Sequence, residues 1–187
     1  LLSLSLITTR MTAYGSNISG FEGSGGVINI RPEDAINGTG FRHYQHFNLS
    51  EGDIANLIFK YGAENVSKFV NFVDNTININ GILNTMRDGN FFNGHAVFVS
   101  PNGMVVGASG VLNVGSLSVL TPAPCTYSTF TKDMQKYAPI LSTPGTPAYE
   151  AAMALKGNGT IRIDGKIVAR DAVNLAAKDV AINQGAM

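Results

Sequence analysis

Short apolar runs separated by turn-forming residues fill residues 89–120, GNFFNGHAVFVSPNGMVVGASGVLNVGSLSVL, and set the expectation for the whole chain. Apolar runs rich in β-branched residues at 96–99, 104–106, 111–114 and 117–120 are cut by Gly, Asn, Ser and Pro every few residues. Val, Ile and Phe favour extended backbone, and Gly and Asn reach positive φ cheaply, so the pattern predicts very short strands with tight corners. They are shorter than the roughly five or six residues of an ordinary sandwich strand. They suit a chain that turns a corner every few residues and stacks each coil on the one before, a parallel β-helix. In that arrangement one face of each strand is apolar, and an Asn at a corner can stack on Asn in the next coil and donate its amide along the axis. No apolar run approaches the roughly 18 residues of a membrane helix.

The same reading extends along the chain. Val27-Ile28-Asn29-Ile30 predicts a strand with Asn29 on the face opposite its neighbours, ended by Arg31-Pro32, and Asn37-Gly38-Thr39-Gly40 predicts a turn. Residues 50–73 read as two short helical turns or as a helix continued by a strand. Ser50-Glu51-Gly52-Asp53 offers an N-cap, and Ile54, Leu57, Ile58 and Tyr61 lie at helical spacing before Gly62, with Val66, Phe69, Val70 and Val73 after it. In residues 76–83 Ile77, Ile79 and, past the Asn80-Gly81 corner, Ile82 are expected on one face and Asn78 and Asn80 on the other. Arg87-Asp88-Gly89 is expected as an exposed turn. Residues 121–158 hold five of the seven prolines, which cannot continue a strand ladder, so they predict an excursion packed along the side. Helical segments are expected at 132–137 and 148–156, with Tyr149, Glu150, Ala151, Ala154 and Leu155 forming a covering helix. Strands resume at 160–163, 166–168, 173–176 and 180–182.

The predicted fold is therefore all-β: a right-handed single-stranded parallel β-helix with an N-terminal cap (16–75), central coils (76–120), the Pro-rich excursion (121–158) and further coils (159–187). An uncapped end exposes strand edges, so more coils are expected to follow. Residues 1–15 read as a signal-peptide remnant, with Ala13-Tyr14-Gly15 as a cleavage site, or as a first strand in which Leu2, Leu4 and Leu6 alternate with Ser3 and Ser5.

Composition narrows the function. Charged residues are 14%, 13 basic against 13 acidic, which leaves no basic stripe for electrostatic nucleic-acid binding. Gly (21) and Asn (18) are abundant and Trp is absent, the balance of a turn-rich β chain. Cys125 stands alone, which excludes an intrachain disulfide and a thiolate metal cluster and leaves it as a small loop residue. His43 and His46, three apart in a strand or loop, do not face one way, and His95 is distant, so no metal site is expected. His95 is the one ionisable side chain of residues 89–120. Glu33, Asp34, Glu51, Asp53, Asp88, Asp164, Asp171 and Asp179 fall mainly in turns, and no Ser-His-Asp order, P-loop or zinc motif is present. No catalytic residue and no cofactor is expected. The Asn-x-Ser/Thr matches at Asn17, Asn37, Asn48, Asn65 and Asn158 are the number chance supplies in an Asn-rich chain.

Two stretches carry a family resemblance. Residues 93–117 are similar to the signature of the two-partner secretion domain, which heads filamentous-haemagglutinin-type exoproteins (the haemagglutination activity domain). In that signature Asn-Gly leads a hydrophobic run into Asn-Pro-Asn-Gly, followed by Gly-x-Gly and Val-Gly-x-Leu. Asn93-Gly94, Pro101-Asn102-Gly103, Gly107 and Val114-Gly115-Ser116-Leu117 fall on those positions, and Ser100 replaces the first Asn. Nearer the N-terminus, His43, Tyr44 and the Phe47-Asn48 pair resemble the family's cap motif, with the His–Tyr spacing compressed. The Asn-Pro-Asn-Leu motif of many members is missing; together with Gly-Asp-Ile-Ala-Asn-Leu at 52–57 this resembles the branch heading leukotoxin-like and other large filamentous adhesins.

The resemblance implies an N-terminal secretion and folding module of a large exported adhesin or toxin, from a Gram-negative-type bacterium. An outer-membrane barrel transporter with periplasmic docking domains would recognise it while unfolded, and the exoprotein would cross the periplasm to reach the cell surface or medium, where it meets a host cell. Low charge and few Cys suit such passage, and strand-prone segments suit docking by strand addition. On this reading Asn93, Gly94, Ser100, Pro101, Asn102, Gly103, Gly107 and Gly115 serve recognition or nucleate folding. The turn chemistry of Asn102 favours the folding role. The alternative is a surface adhesin or carbohydrate-binding segment using exposed Phe21, Tyr44, Tyr127 and Tyr149.

Overall fold

The computed structural model describes residues 15–183 and Gly185, so the alternatives for residues 1–14 lie outside the described residues. The chain is mostly strand, arranged in three principal sheets. The first sheet holds Asn17–Ile18, Phe47–Leu49, Ile77–Ile79, Gly103–Val106, Thr160–Ile163 and Asp179–Ile182. The second holds Val27–Ile30, Ile54–Ile58, Ile82–Arg87, Val111–Val114 and Lys166–Ala169. The third holds Thr39–Tyr44, Lys68–Val73, His95–Val99, Ser116–Leu120 and Val173–Ala176. The chain visits the sheets in rotation, and each circuit adds one strand to each.

Pairings between circuits are parallel in all three sheets from Phe47 onward. Antiparallel pairs occur at the first described strand and in short hairpins. Asn17–Ile18 closes on Phe47–Leu49, and Asp34–Ile36 folds onto Thr39–Tyr44 through the Asn37-Gly38 turn, where both residues have positive φ. Asp88-Gly89 makes the expected exposed turn, which folds Asn90–Phe91 back on Ile82–Arg87.

Inward side chains stack in columns. Ile77, Met104 and Ile161 follow one another in the first sheet; Ala55, Leu83, Leu112 and Ile167 do so in the second; Phe69, Ala96 and Leu117 in the third. All are buried in one core. At roughly 1.5–3 kcal/mol per buried large apolar side chain, these columns are what each circuit gains by lying on the last. Polar side chains inside are bonded: Asn71 accepts from the Tyr44 hydroxyl at 2.7 Å and donates to the Phe69 and Val97 carbonyls at 3.2 Å, which leaves its amide satisfied, and Thr85 donates to the Phe92 carbonyl at 2.6 Å.

Three expectations are corrected. Residues 50–73 are not helical: they form Ile54–Ile58, a small Lys60–Tyr61 and Glu64–Asn65 hairpin, and Lys68–Val73. Ala55 and Leu57 are the buried residues, with period two, and the strand is paired on both edges. Asp53 does not cap a helix; its carboxylate accepts from Ser16 Oγ at 2.7 Å and the Gly26 N–H at 2.9 Å. A short helix is marginal alone, and strand pairing on two sides outweighs a few residues at helical spacing. Ile82, secondly, faces outward, because the chain changes direction at Gly81 and Leu83 takes the interior place.

The third correction concerns the excursion. It contains three helices, α1 (Pro124–Lys132), α2 (Met134–Leu141) and α3 (Pro147–Ala152), rather than segments at 132–137 and 148–156. Pro124 and Pro147 sit in the first turns, where a missing N–H is harmless. Tyr127, Phe130, Ala138, Leu141 and Tyr149 pack on the outer face of the third sheet against Phe41, Val70, Val97 and Val99. Leu155 is 62% exposed and covers nothing. The excursion closes at its base through a Pro122–Lys156 bridge. No described helix is long and apolar enough to cross a membrane.

Candidate functional site at the stacked corners

The residues singled out by the sequence lie at the corners between sheets, each corner resting on the one a circuit earlier. At the third-to-first corner, Ser100 Oγ donates to the Asn75 carbonyl at 2.9 Å and accepts from the Asn102 N–H at 3.2 Å. The Asn102 amide donates to the Asp74 carbonyl at 3.0 Å. One circuit further down, the Asn75 amide donates to the Gln45 carbonyl at 2.8 Å, and the Ser19 hydroxyl accepts from the Gln45 and His46 N–H groups at 3.1 and 2.9 Å. Ser100, in place of the Asn of the signature, thus makes both a cross-circuit bond and the local turn bond.

Above Asn102, Gly103 has φ +83° and lies so close to the backbone of Thr160 that a Cβ would overlap it. The other signature glycines are constrained in the same way. A Cβ on Gly94 would strike the Phe59 ring, one on Gly115 the Asn93-Gly94 corner beneath it, and one on Gly107 the Asn80 side chain. Asn93 reaches up, its amide donating to Asp171 at 3.0 Å. Pro101 lies beneath Gly159, whose Cβ would meet the Pro101 carbonyl oxygen at 2.7 Å. The motif is corner chemistry: glycine where circuits touch, and Asn or Ser where a side chain must bond a neighbouring circuit.

The cap motif meets the first of these columns. His43 Nε2 lies 2.7 Å from Asp74 Oδ1, which also accepts from the Tyr127 hydroxyl at 2.8 Å. Asp74 therefore joins the cap strand, the corner under Asn102 and helix α1. Burial pushes the Tyr127 hydroxyl far above its ordinary range, and the Asp74 carboxylate adds to the shift, so it stays a neutral donor. Tyr44 and Phe47 are buried edge to face at 5.2 Å, with Phe98 at 5.5 Å from Phe47, and Asn48 accepts from the Asn78 amide at 2.8 Å. Of the aromatics considered for ligand contact, Tyr44, Tyr127 and Tyr149 are buried and Phe21 is half-buried beneath the Arg42 guanidinium.

His95 is removed from these corners. Its Nε2 lies 2.7 Å from Ser118 Oγ, beneath the end of α2, and its strand partner is Lys68. Burial, and then the Lys68 charge, push its pKa down to about 4.

Sequence reasoning missed Asp74 and Asn75, which receive the motif's hydrogen bonds, and it placed the asparagine ladder wrongly. The ladder lies mid-strand on the outer face of the second sheet: Asn56 donates to Asn29 at 3.1 Å, Asn84 to Asn56 at 3.1 Å and Asn113 to Asn84 at 2.9 Å. Its members are 27, 28 and 29 residues apart, and each has apolar residues on its two inward-facing sides or a Thr in one such place, a spacing that could have revealed it. No group of three or more His, Cys, Asp or Glu side chains converges as a metal site among the described residues. No protein-family model matches the chain, and no curated protein or solved structure matches it.

Taken chemically, the corners supply oriented backbone and amide hydrogen bonds between circuits.

Proposed function

We propose that this chain is the N-terminal secretion and folding module of a large exported adhesin or toxin. In this reading the circuits form a right-handed single-stranded parallel β-helix. An outer-membrane barrel transporter with periplasmic docking domains recognises the segment unfolded, and stacking at the cell surface makes export directional. The observation that carries the reading is the placement of the signature residues. Asn93-Gly94, Ser100 to Gly103, Gly107 and Gly115 all occupy corners in contact with another circuit. A motif at such contacts is what a chain needs if each newly emerged circuit must seat on the previous one. The seated circuit buries its apolar column, so a return into the transporter costs that burial. Burial of Tyr44, Tyr127 and Tyr149 removes the basis for the alternative of an adhesin face built on those rings.

The test is export from cells with and without a co-expressed barrel transporter, comparing the wild type with Asn102→Ala. Transporter-dependent export, reduced in the variant, is expected. Export indifferent to the transporter rejects the secretion role; unchanged export of the variant removes only the role given to Asn102.

A further inference from the structure

The outer face of the third sheet is covered by the helices, whereas that of the second is open and carries the asparagine ladder. The ladder ends at Asn113, because Val168 takes the next position in register. Beside that end lies a cleft of about 440 Å³, with Asn84 and Asn113 along it and Met86, Phe91 and Val168 as apolar walls. Phe91 belongs to the arm folded back past Asp88-Gly89, and its ring lies 4.5 Å from the Arg170 guanidinium carbon. Arg170 is exposed, and among the described residues no carboxylate lies within salt-bridge distance of it.

Each feature narrows the ligand. A guanidinium stacked on a ring keeps its planar N–H edge for a bidentate acceptor, and a carboxylate fits that edge. A side-chain amide has two N–H donors; the ladder uses one on Asn84 and one on Asn113, which leaves a second on each. The Asn113 carbonyl terminates the ladder as an acceptor. Val168, 44% exposed, and Phe91, 36% exposed, add apolar surface. A small inorganic anion leaves the apolar walls unused, and a neutral sugar offers the fork no charged bidentate acceptor.

We propose that this cleft binds a carboxylate-bearing sugar, a uronate unit of an acidic polysaccharide. Its carboxylate pairs with Arg170, its ring hydroxyls bond Asn84 and Asn113, and its C–H face rests on Val168 and Phe91. The proposal uses none of the corner residues and stands apart from the export reading.

The test is calorimetric titration of the whole chain with trigalacturonate, with maltotriose as the neutral sugar and tetraglutamate as the acidic peptide. Saturable trigalacturonate binding is expected, weakened about tenfold or more in Arg170→Gln at unchanged melting temperature, and about fivefold in Asn113→Ala, whose melting temperature falls only by the roughly 1–4 °C that one lost ladder bond costs. Arg170→Lys keeps the charge without the fork and is expected to fall between wild type and Arg170→Gln. Maltotriose is expected to bind at least about tenfold more weakly than trigalacturonate. Absent binding, binding unaltered by Arg170→Gln, or tetraglutamate binding as tight as the sugar each overturn the proposal.

Discussion

The side-chain amide of Asn102 donates to the backbone carbonyl of Asp74, 28 residues earlier, at 3.0 Å. The bond ties a corner to the one beneath it, and the Asp74 carboxylate carries the tie on to His43 and Tyr127. Asn102→Ala is expected to lower stability by about 1 kcal/mol, the worth of one partly exposed hydrogen bond. For a chain of this size that is a melting shift of roughly 2–4 °C. Asn102→Asp, which keeps the shape but cannot donate, is expected to lose at least as much; a variant as stable as the wild type in thermal denaturation contradicts the role.

Gly103→Ala is a harsher change. It combines a positive-φ penalty of roughly 1–2 kcal/mol with overlap against the Thr160 backbone, so a loss of about 3 kcal/mol or more is expected in urea denaturation. Gly62→Ala, also at positive φ but with open space around it, is expected to cost only the conformational part.

Removing the Tyr44 hydroxyl leaves a buried acceptor on Asn71 without its partner. Tyr44→Phe is therefore expected to cost about 1–3 kcal/mol, although the ring and its packing on Phe47 remain. The double variant Tyr44→Phe with Asn71→Leu is expected to recover part of the loss, read as a coupling energy in a double-mutant cycle.

Acid acts through His95. Its pKa in the folded chain, pushed down to about 4 by burial and then by Lys68, lies below the unfolded value of about 6.5. Between these limits the unfolded chain binds a proton that the folded ring does not. Stability is therefore full above about pH 6.5 and falls as the pH drops towards 4, by on the order of 2–3 kcal/mol. His95→Gln is expected to flatten that part of the curve. Asp53 acts in a different window. Ser16 and the Gly26 N–H hold its carboxyl below the usual range, so its contribution is present above the ordinary carboxylate pKa and is lost only as the pH falls through the lower folded value.

The asparagine ladder offers an additive test. Asn56 takes part in two amide–amide bonds and Asn29 in one, so Asn56→Ala is expected to cost about twice what Asn29→Ala does, each bond being worth roughly 0.5–1 kcal/mol at this half-exposed face. Equal losses in urea denaturation contradict a connected ladder.

The short strands of the central stretch were legible because runs rich in Val, Leu and Phe are cut by turn residues every few positions, too often for a helix; His95–Val99, Gly103–Val106, Val111–Val114 and Ser116–Leu120 stand where the pattern puts them. Residues 50–73 were misread because Ile54, Leu57 and Ile58 fit a helical period while Ala55 and Leu57 fit that of a strand, and the pairing that decides between them comes from Val27–Ile30 and Ile82–Arg87, far along the chain. Helix α1 escaped notice because Thr126, Ser128 and Thr129 are weak helix formers, and what holds it is the burial of Tyr127 and Phe130 against a sheet. The corner motif was visible as residue types, but its partners were not: nothing local marks Asp74 and Asn75 as the groups that Asn102 and Ser100 reach.

Local chemistry thus determined by itself where the central strands extend and where they turn, since these depend on backbone conformation and on the apolar period of neighbouring residues. Tertiary structure alone decided which corner glycines lie against another circuit, which face of the second sheet stays open and what Asp74 joins, and it brought the evenly spaced asparagines into bonding register. Those outcomes depend on register between strands 27–29 residues apart, and contacts of that range exist only after the circuits have stacked.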